Sequence, residues 1–274
     1  MLRKGDLTQG GITGTLLHFT LPMMVGSFLQ QCYNIADTLI VGQCIGAGAL
    51  AAVGSAYTLM VFLISVLLGL AMGSGTVFSL HYGAGNHVAL RRSIFSSFVL
   101  IGIVTLILNV AVFIWLGPIL RLLQVPQDIY GMMHSYLWII FCGIVFTFIY
   151  NFYASLLRAV GDSVTPLWFL AVSVVLNIAL DLFFILQLDW GIQGAAAATV
   201  LAQGVAALGI IIYTYRRRPE LRWHHEDMCF DRTCLKEIAS FSTLTCVQQS
   251  VMNLGILMIQ GLVNSFGTAV MAAF

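Results

Sequence analysis

Seven apolar runs, each longer than a lipid bilayer is thick, govern what this chain can fold into. They lie at 16–41, 51–80, 93–116, 133–157, 165–187, 191–215 and 237–265, and a helix crosses the hydrocarbon layer with about 20 mainly apolar residues. The breaks between them are turn chemistry: GQCIGAGA, HYGAGNHVALRR, GPILRLLQVPQDIYG, RAVGDSVTP, QLDWG and the long segment RRRPELRWHHEDMCFDRTCLKE. Glycine, proline and charge punctuate every one. Only 8% of the chain is charged and 59% is hydrophobic, against roughly 25% charged in an average soluble domain, so no aqueous fold could absorb this much apolar surface. The expected fold class is an all-α integral membrane protein, a polytopic helical bundle.

The sparse charges fix an orientation. Eleven of the 12 Lys and Arg fall before the first run, between the second and third, between the fourth and fifth, and between the sixth and seventh; the alternate loops hold only Arg121. The positive-inside rule then expects a cytoplasmic N-terminus and a cytoplasmic 216–236 loop. That loop region also carries acids, and it reads as a solvated connector rather than a lipid-headgroup patch. A net charge of +1 with no basic stripe argues against nucleic acid as a partner. Six cysteines are scattered without a disulfide framework, and His224, His225, Cys229 and Cys234 fit no standard zinc spacing. The basic start MLRKGDLTQGGITGT precedes a long apolar run without a small-residue cleavage site, so residue 16 onward reads as a true span rather than a removable leader.

The polar residues inside the runs carry the chemistry. Asp37 and Asp181 are the only acids in their interiors, and no Lys or Arg lies mid-run to neutralise them. A charged carboxylate at mid-bilayer costs about 2.5–3.5 kcal/mol even on a permissive scale, so both acids are expected to face a polar interior. In the first run Gln30, Tyr33, Asn34 and Asp37 recur at helical spacing and are expected to share a face; in the fifth, Ser173, Asn177 and Asp181 stack four apart; in the sixth, Thr199 and Gln203 do the same. Desolvation disfavours the carboxylate anion, so an unpaired buried acid either takes up a proton or binds a cation. Carboxylate, amide, hydroxyl and backbone oxygens are the hard ligands a small alkali ion accepts, which makes Asp37, Asn177, Asp181 and Thr199 a candidate cage for Na⁺. The alternative is that they are interhelical hydrogen-bonding glue. Pro22 removes one helical hydrogen bond in the first run and is expected to bend it.

Three stretches together resemble one transporter family. QCYNIADTLIVGQCIGAGALAAVG resembles the opening signature of the multidrug and toxic compound extrusion (MATE) antiporters, LLRAVGDSVTP resembles their LR-x-x-GD-x-x-TP loop, and LNIALDLFFI followed by WGIQGAAAATVLAQ resembles their fifth and sixth spans. The resemblance implies twelve spans in two pseudo-symmetric six-helix lobes around a central cavity. It implies a first lobe at 1–215, an inter-lobe loop at 216–236 and the start of a second lobe at 237–274. It also implies an ion site of Asp37, Asn177, Asp181 and Thr199, with Tyr33 adjoining, Asn34 beside it and Pro22 as the bending proline. The implied function is cation-coupled efflux of organic cations, with Na⁺ or H⁺ as coupling ion and no other cofactor. The chain's last residues, NSFGTAVMAAF, read as the opening of a further span. Setting 45–53 over 266–274 pairs Gly46 with Gly267, Ala51 with Ala272 and Ala52 with Ala273, a faint internal repeat. A partial protein is therefore expected.

The nearest rival is a lipid-linked oligosaccharide flippase of related architecture, which would want a cationic cavity for a pyrophosphate headgroup. No mid-run Lys or Arg supplies one. An enzyme is not expected: the chain has no GxxxxGK[ST] phosphate loop and no recognisable catalytic constellation.

Overall fold

The computed structural model describes residues 12–223, 232–267 and 270–271. Long helices dominate it: α1 (Ile12–Cys44), α2 (Ala47–Gly83), α3 (His87–Leu122), α4 (Gln127–Cys142), α5 (Ile144–Ala159), α6 (Val164–Leu182), α7 (Gly191–Arg217) and α8 (Arg232–Asn264). Five of them, α2, α3, α6, α7 and α8, are long and apolar enough to cross a membrane, and α4 with α5 forms a sixth such span bent by 50°. At 33 residues, α1 reaches about 50 Å at 1.5 Å per residue, also enough to cross. The fourth apolar run, read from the sequence as one span, is thus two helices that meet at Gly143.

Between helices in lipid there is little hydrophobic driving force, so close approach of small residues and interhelical hydrogen bonds must do the packing. The buried faces are built accordingly. On α2 they carry Ala49, Ala51, Ala52 and Ala56, and on α7 Ala195, Ala196, Ala198 and Ala202. Large apolar side chains such as Leu106, Trp115, Leu244 and Met258 point outward, as lipid solvation allows.

The closest seam runs antiparallel between α2 and α8. A Cβ added at Gly69 would stand 2.6 Å from Cys246 Cα, so the two backbones meet here at a distance only glycine permits. Polar contacts stitch the same seam along its length. Cys246 Sγ donates to Val66 O (3.2 Å) and Ser242 Oγ to Leu70 O (3.3 Å). Nearer the α1–α2 turn, Ser55 Oγ donates to Asn264 Oδ1 (3.2 Å), Thr58 Oγ1 to Gln260 Oε1 (3.3 Å), and Asn264 Nδ2 to Leu123 O (2.9 Å).

The LLRAVGDSVTP segment makes a staple at the opposite end of the bundle. Asp162 accepts from the Thr165 backbone N–H (3.0 Å) and hydroxyl (2.9 Å), capping α6, and pairs with Arg218 Nη2 at 3.2 Å. Burial works against the Arg218 charge, but the hydrogen bond and charge of Asp162 outweigh it and hold the guanidinium above its ordinary value.

Two glycines bear on the faint repeat. Gly46 follows α1 with φ 118° and Gly267 follows α8 with φ 89°, and the carbonyl of each accepts from the fourth residue on, Leu50 and Met271 (both 3.1 Å). Each 33-residue helix is thus followed within three residues by a positive-φ glycine whose carbonyl opens the next helical turn. Residues 272–274, which complete the sequence match, lie outside the described residues, as do 224–231 of the 216–236 connector.

Candidate functional site

The four oxygen-bearing residues singled out by spacing converge from three helices. Asp37 comes from α1, Asn177 and Asp181 from successive turns of α6, and Thr199 from the third turn of α7. All four are buried, with Asp37 at 7% and Asp181 at 0% exposure. That depth matters because a carboxylate this far from solvent must be neutralised, paired or hydrogen-bonded.

Hydrogen bonds run through the group in one direction. In the amide orientation that satisfies its neighbours, Asn177 donates from nitrogen to Asp181 Oδ2 at 2.9 Å. Its oxygen accepts from Thr199 Oγ1 (3.3 Å) and from the Thr199 backbone N–H (3.2 Å). With its proton given to Asn177, the Thr199 hydroxyl is left to accept from Tyr33 Oη, 3.3 Å away. Asp37 and Asp181 lie close enough to influence each other electrostatically. Two atoms remain over: Asp37 Oδ1 and Asp181 Oδ1 are buried and have no hydrogen-bond partner. Among the described residues neither acid forms an ion pair with Lys or Arg.

Local structure explains how the acids are held. Directly after Asp181 the helix widens into a π-helical turn, Phe183–Gln187, where the Leu188 N–H reaches back five residues to Phe183 O. Such turns displace the helix face that follows them and recur at functional sites. Phe184 and Trp190 stack 5.1 Å apart across the turn into α7.

Not every expected residue joins the cluster. Asn34 turns instead toward α2, where its amide nitrogen donates to Tyr57 Oη (3.1 Å), and it also donates to Gln31 Oε1 on its own helix (3.3 Å). The physical reason is the helical repeat: Asn34 follows Tyr33 by about 100° around the helix, so the two point to different neighbours. Gln30 is exposed. Gln203, one turn beyond Thr199, pairs instead with Thr147 of α5. Pro22, expected to bend the first run rather than to bind the ion, lies inside α1, about 22 Å along the axis from Asp37 at 1.5 Å per residue. Tyr136 of α4 was missed. It is 4% exposed and within electrostatic reach of Asp37, Asp181 and Tyr33. The only signal in the sequence is one of three tyrosines in the fourth run, set directly after His134 and Ser135, and tyrosines are common in spans.

Among the described residues no group of three or more His, Cys, Asp or Glu is placed to hold a metal. His224, His225 and Cys229 lie outside them.

Comparison with known proteins places this geometry in a family. The chain is 33% identical over 280 residues to the probable multidrug resistance protein YpnP of Bacillus subtilis, covering 100% of this chain and 61% of that protein. It is 29% identical over 202 residues to the multidrug export protein MepA of Staphylococcus aureus, covering 72% and 44%. Among solved structures it superposes on a MATE-family multidrug resistance transporter of the MOP superfamily. The outward-facing form gives a TM-score of 0.86 at 24% identity over 93% of this chain and 57% of that one. The inward-facing form gives 0.81 at 24% identity over 94% and 59%. The chain thus spans about three-fifths of the length of such relatives. A family model described as MatE matches residues 22–183, which include Tyr33, Asp37, Tyr136, Asn177 and Asp181, and the chain therefore belongs to the MatE family.

Proposed function

We propose that the protein to which this chain belongs is a cation-coupled antiporter that exports organic cations by alternating access, with Na⁺ or H⁺ as the coupling ion bound between Asp37 and Asp181. The observation that carries this reading is the pair of buried, unpartnered oxygens, Asp37 Oδ1 and Asp181 Oδ1, on adjoining carboxyls without a counter-charge. Such a pair is costly to leave ionised, and a proton or a small cation relieves it. Thr199 Oγ1 and the Asn177 oxygen supply further hard ligands beside it.

The cycle follows from charge. When the ion binds, the acids stop repelling each other and α1, which carries Asp37 and Tyr33, packs against α6 and α7 in a different register, with Pro22 as the weak point of the helix. Release of the ion toward the cytoplasm restores the repulsion. A one-for-one exchange of a monovalent coupling ion for a monovalent organic cation moves no net charge, so the concentration gradient of the coupling ion drives export: a tenfold ion gradient, about 1.4 kcal/mol, sustains about a tenfold gradient of the exported cation. The names of the relatives support small-molecule export. The positive-φ glycines after α1 and α8, Gly46 and Gly267, and the faint sequence repeat around them support a second lobe beginning near 237, with 1–215 as the first lobe and 216–236 between them. The charge bias supports a plasma-membrane protein with a cytoplasmic N-terminus. A flippase would want a cationic cavity, yet every Lys and Arg among the described residues lies within two turns of a helix end or outside a helix.

The test is gradient-driven efflux of a fluorescent organic cation from proteoliposomes containing the full-length protein. Asp37→Asn and Asp181→Asn are each expected to reduce ion-driven efflux to the no-gradient level. Wild-type rates in both variants would overturn the mechanism.

A further inference from the structure

The broken fourth span has a feature that the ion cluster does not explain. Gly143, between α4 and α5, has φ −90° and ψ −1°, an ordinary conformation that any residue adopts. Its lack of a side chain serves contact instead. A Cβ at 143 would lie 2.5 Å and 2.6 Å from the two methyls of Val200 and 3.0 Å from its Cβ. Valine in a helix is held to one rotamer and cannot swing aside, so the backbone of the break rests directly on Val200. The break is supported from a third helix, where Asn109 Nδ2 of α3 donates to Phe141 O at 2.6 Å, satisfying a carbonyl at the end of α4.

Val200 adjoins the ion cluster in sequence, directly following Thr199, while Gly143 stands seven residues, two turns and about 10 Å along the helix axis, beyond Tyr136 on the same face of α4. A single seat on α7 therefore sets where α7 offers Thr199 to Tyr33 and Asn177, and where α4 offers Tyr136 to the acids. We propose that the Gly143–Val200 contact is a positioning device for the coupling-ion site, and that its geometry sets ion affinity. This rests on reading the Asp37–Asp181 cluster as that site.

The experiment measures efflux by the full-length protein in proteoliposomes as a function of Na⁺ concentration and, separately, of pH. Half-saturation and maximal rate are read apart, with size-exclusion profile and melting temperature as folding controls. Gly143→Ala is expected to raise the half-saturating concentration of the coupling ion about tenfold and to leave the maximal rate within about twofold. Val200→Ala, which loosens the seat without a clash, is expected to raise it two- to threefold. The double variant Gly143→Ala/Val200→Ala is expected to return close to the Val200→Ala value. An unchanged half-saturation in Val200→Ala, or a Gly143→Ala defect that Val200→Ala fails to relieve, overturns the proposal even if Gly143→Ala alone does not fold. Asp181→Asn run in parallel separates the two readings. If it keeps ion-driven efflux, the coupling site itself is wrong; if it abolishes efflux while the seat variants behave as wild type, only the positioning role is wrong.

Discussion

Thr199 is the junction of the cluster, since its hydroxyl meets both Tyr33 and Asn177. A typical hydrogen bond contributes about 1 kcal/mol net, about fivefold in affinity. Thr199→Val keeps the shape and removes both bonds, so half-saturation by the coupling ion is expected to rise by about ten- to thirtyfold in a transport titration, while Thr199→Ser stays within about threefold. Equal effects of Val and Ser would place the hydroxyl outside the site. Asp37, Asn177, Asp181 and Thr199 were legible in the sequence because intramembrane polar residues are rare, and a spacing of three or four reports a shared face. Asn34, read as a supporting residue, stands about 100° around α1 from Tyr33 and bonds to Tyr57 of α2. Tyr136 was illegible because only the packing of α4 against the cluster brings it near the acids.

Helix ends and lengths were largely readable from the apolar runs, whereas contacts between helices were not. The kink at Gly143 leaves no mark in a run of hydrophobic residues, and the π turn after Asp181 reads simply as more helix. Gly69 and Gly73 were likewise indistinguishable from the rest of the chain's 26 glycines until α8 was seen lying on them. Gly69→Val is expected to force α2 and α8 apart and destabilise the protein by about 1–3 kcal/mol, measured as a lowered unfolding temperature in detergent; Gly54→Val, where a Cβ meets nothing within 4 Å, serves as the control. The motif at 156–166 gains a physical role as a staple between α6 and the end of α7. Asp162→Ala removes the cap of α6 and leaves the Arg218 guanidinium, 20% exposed, with only Glu220 at 3.5 Å. A loss of about 1–3 kcal/mol is expected by the same measurement, and Asp162→Asn, which keeps the acceptor oxygen but not the charge, is expected to lose less.

At the scale of the molecule, the described helices form one packed bundle whose α8 lies along α2, and the chain spans about three-fifths of its relatives. The sidedness proposed from the charge bias is directly testable. In inside-out vesicles of the full-length protein, Gly85→Cys is expected to react with an impermeant thiol reagent and Gln124→Cys to remain protected, with the reverse in right-side-out vesicles; the opposite pattern would invert the orientation. The central claim is that Asp37 and Asp181 exchange a coupling ion for the exported cation. Its most direct measurement is ion influx into proteoliposomes holding the full-length protein, followed with ²²Na⁺ and a pH-sensitive dye, with and without an organic cation loaded inside. The wild type is expected to show influx of one or both ions that the internal cation accelerates, and Asp181→Asn to lose that acceleration; an acceleration of equal size in the two proteins would contradict the account.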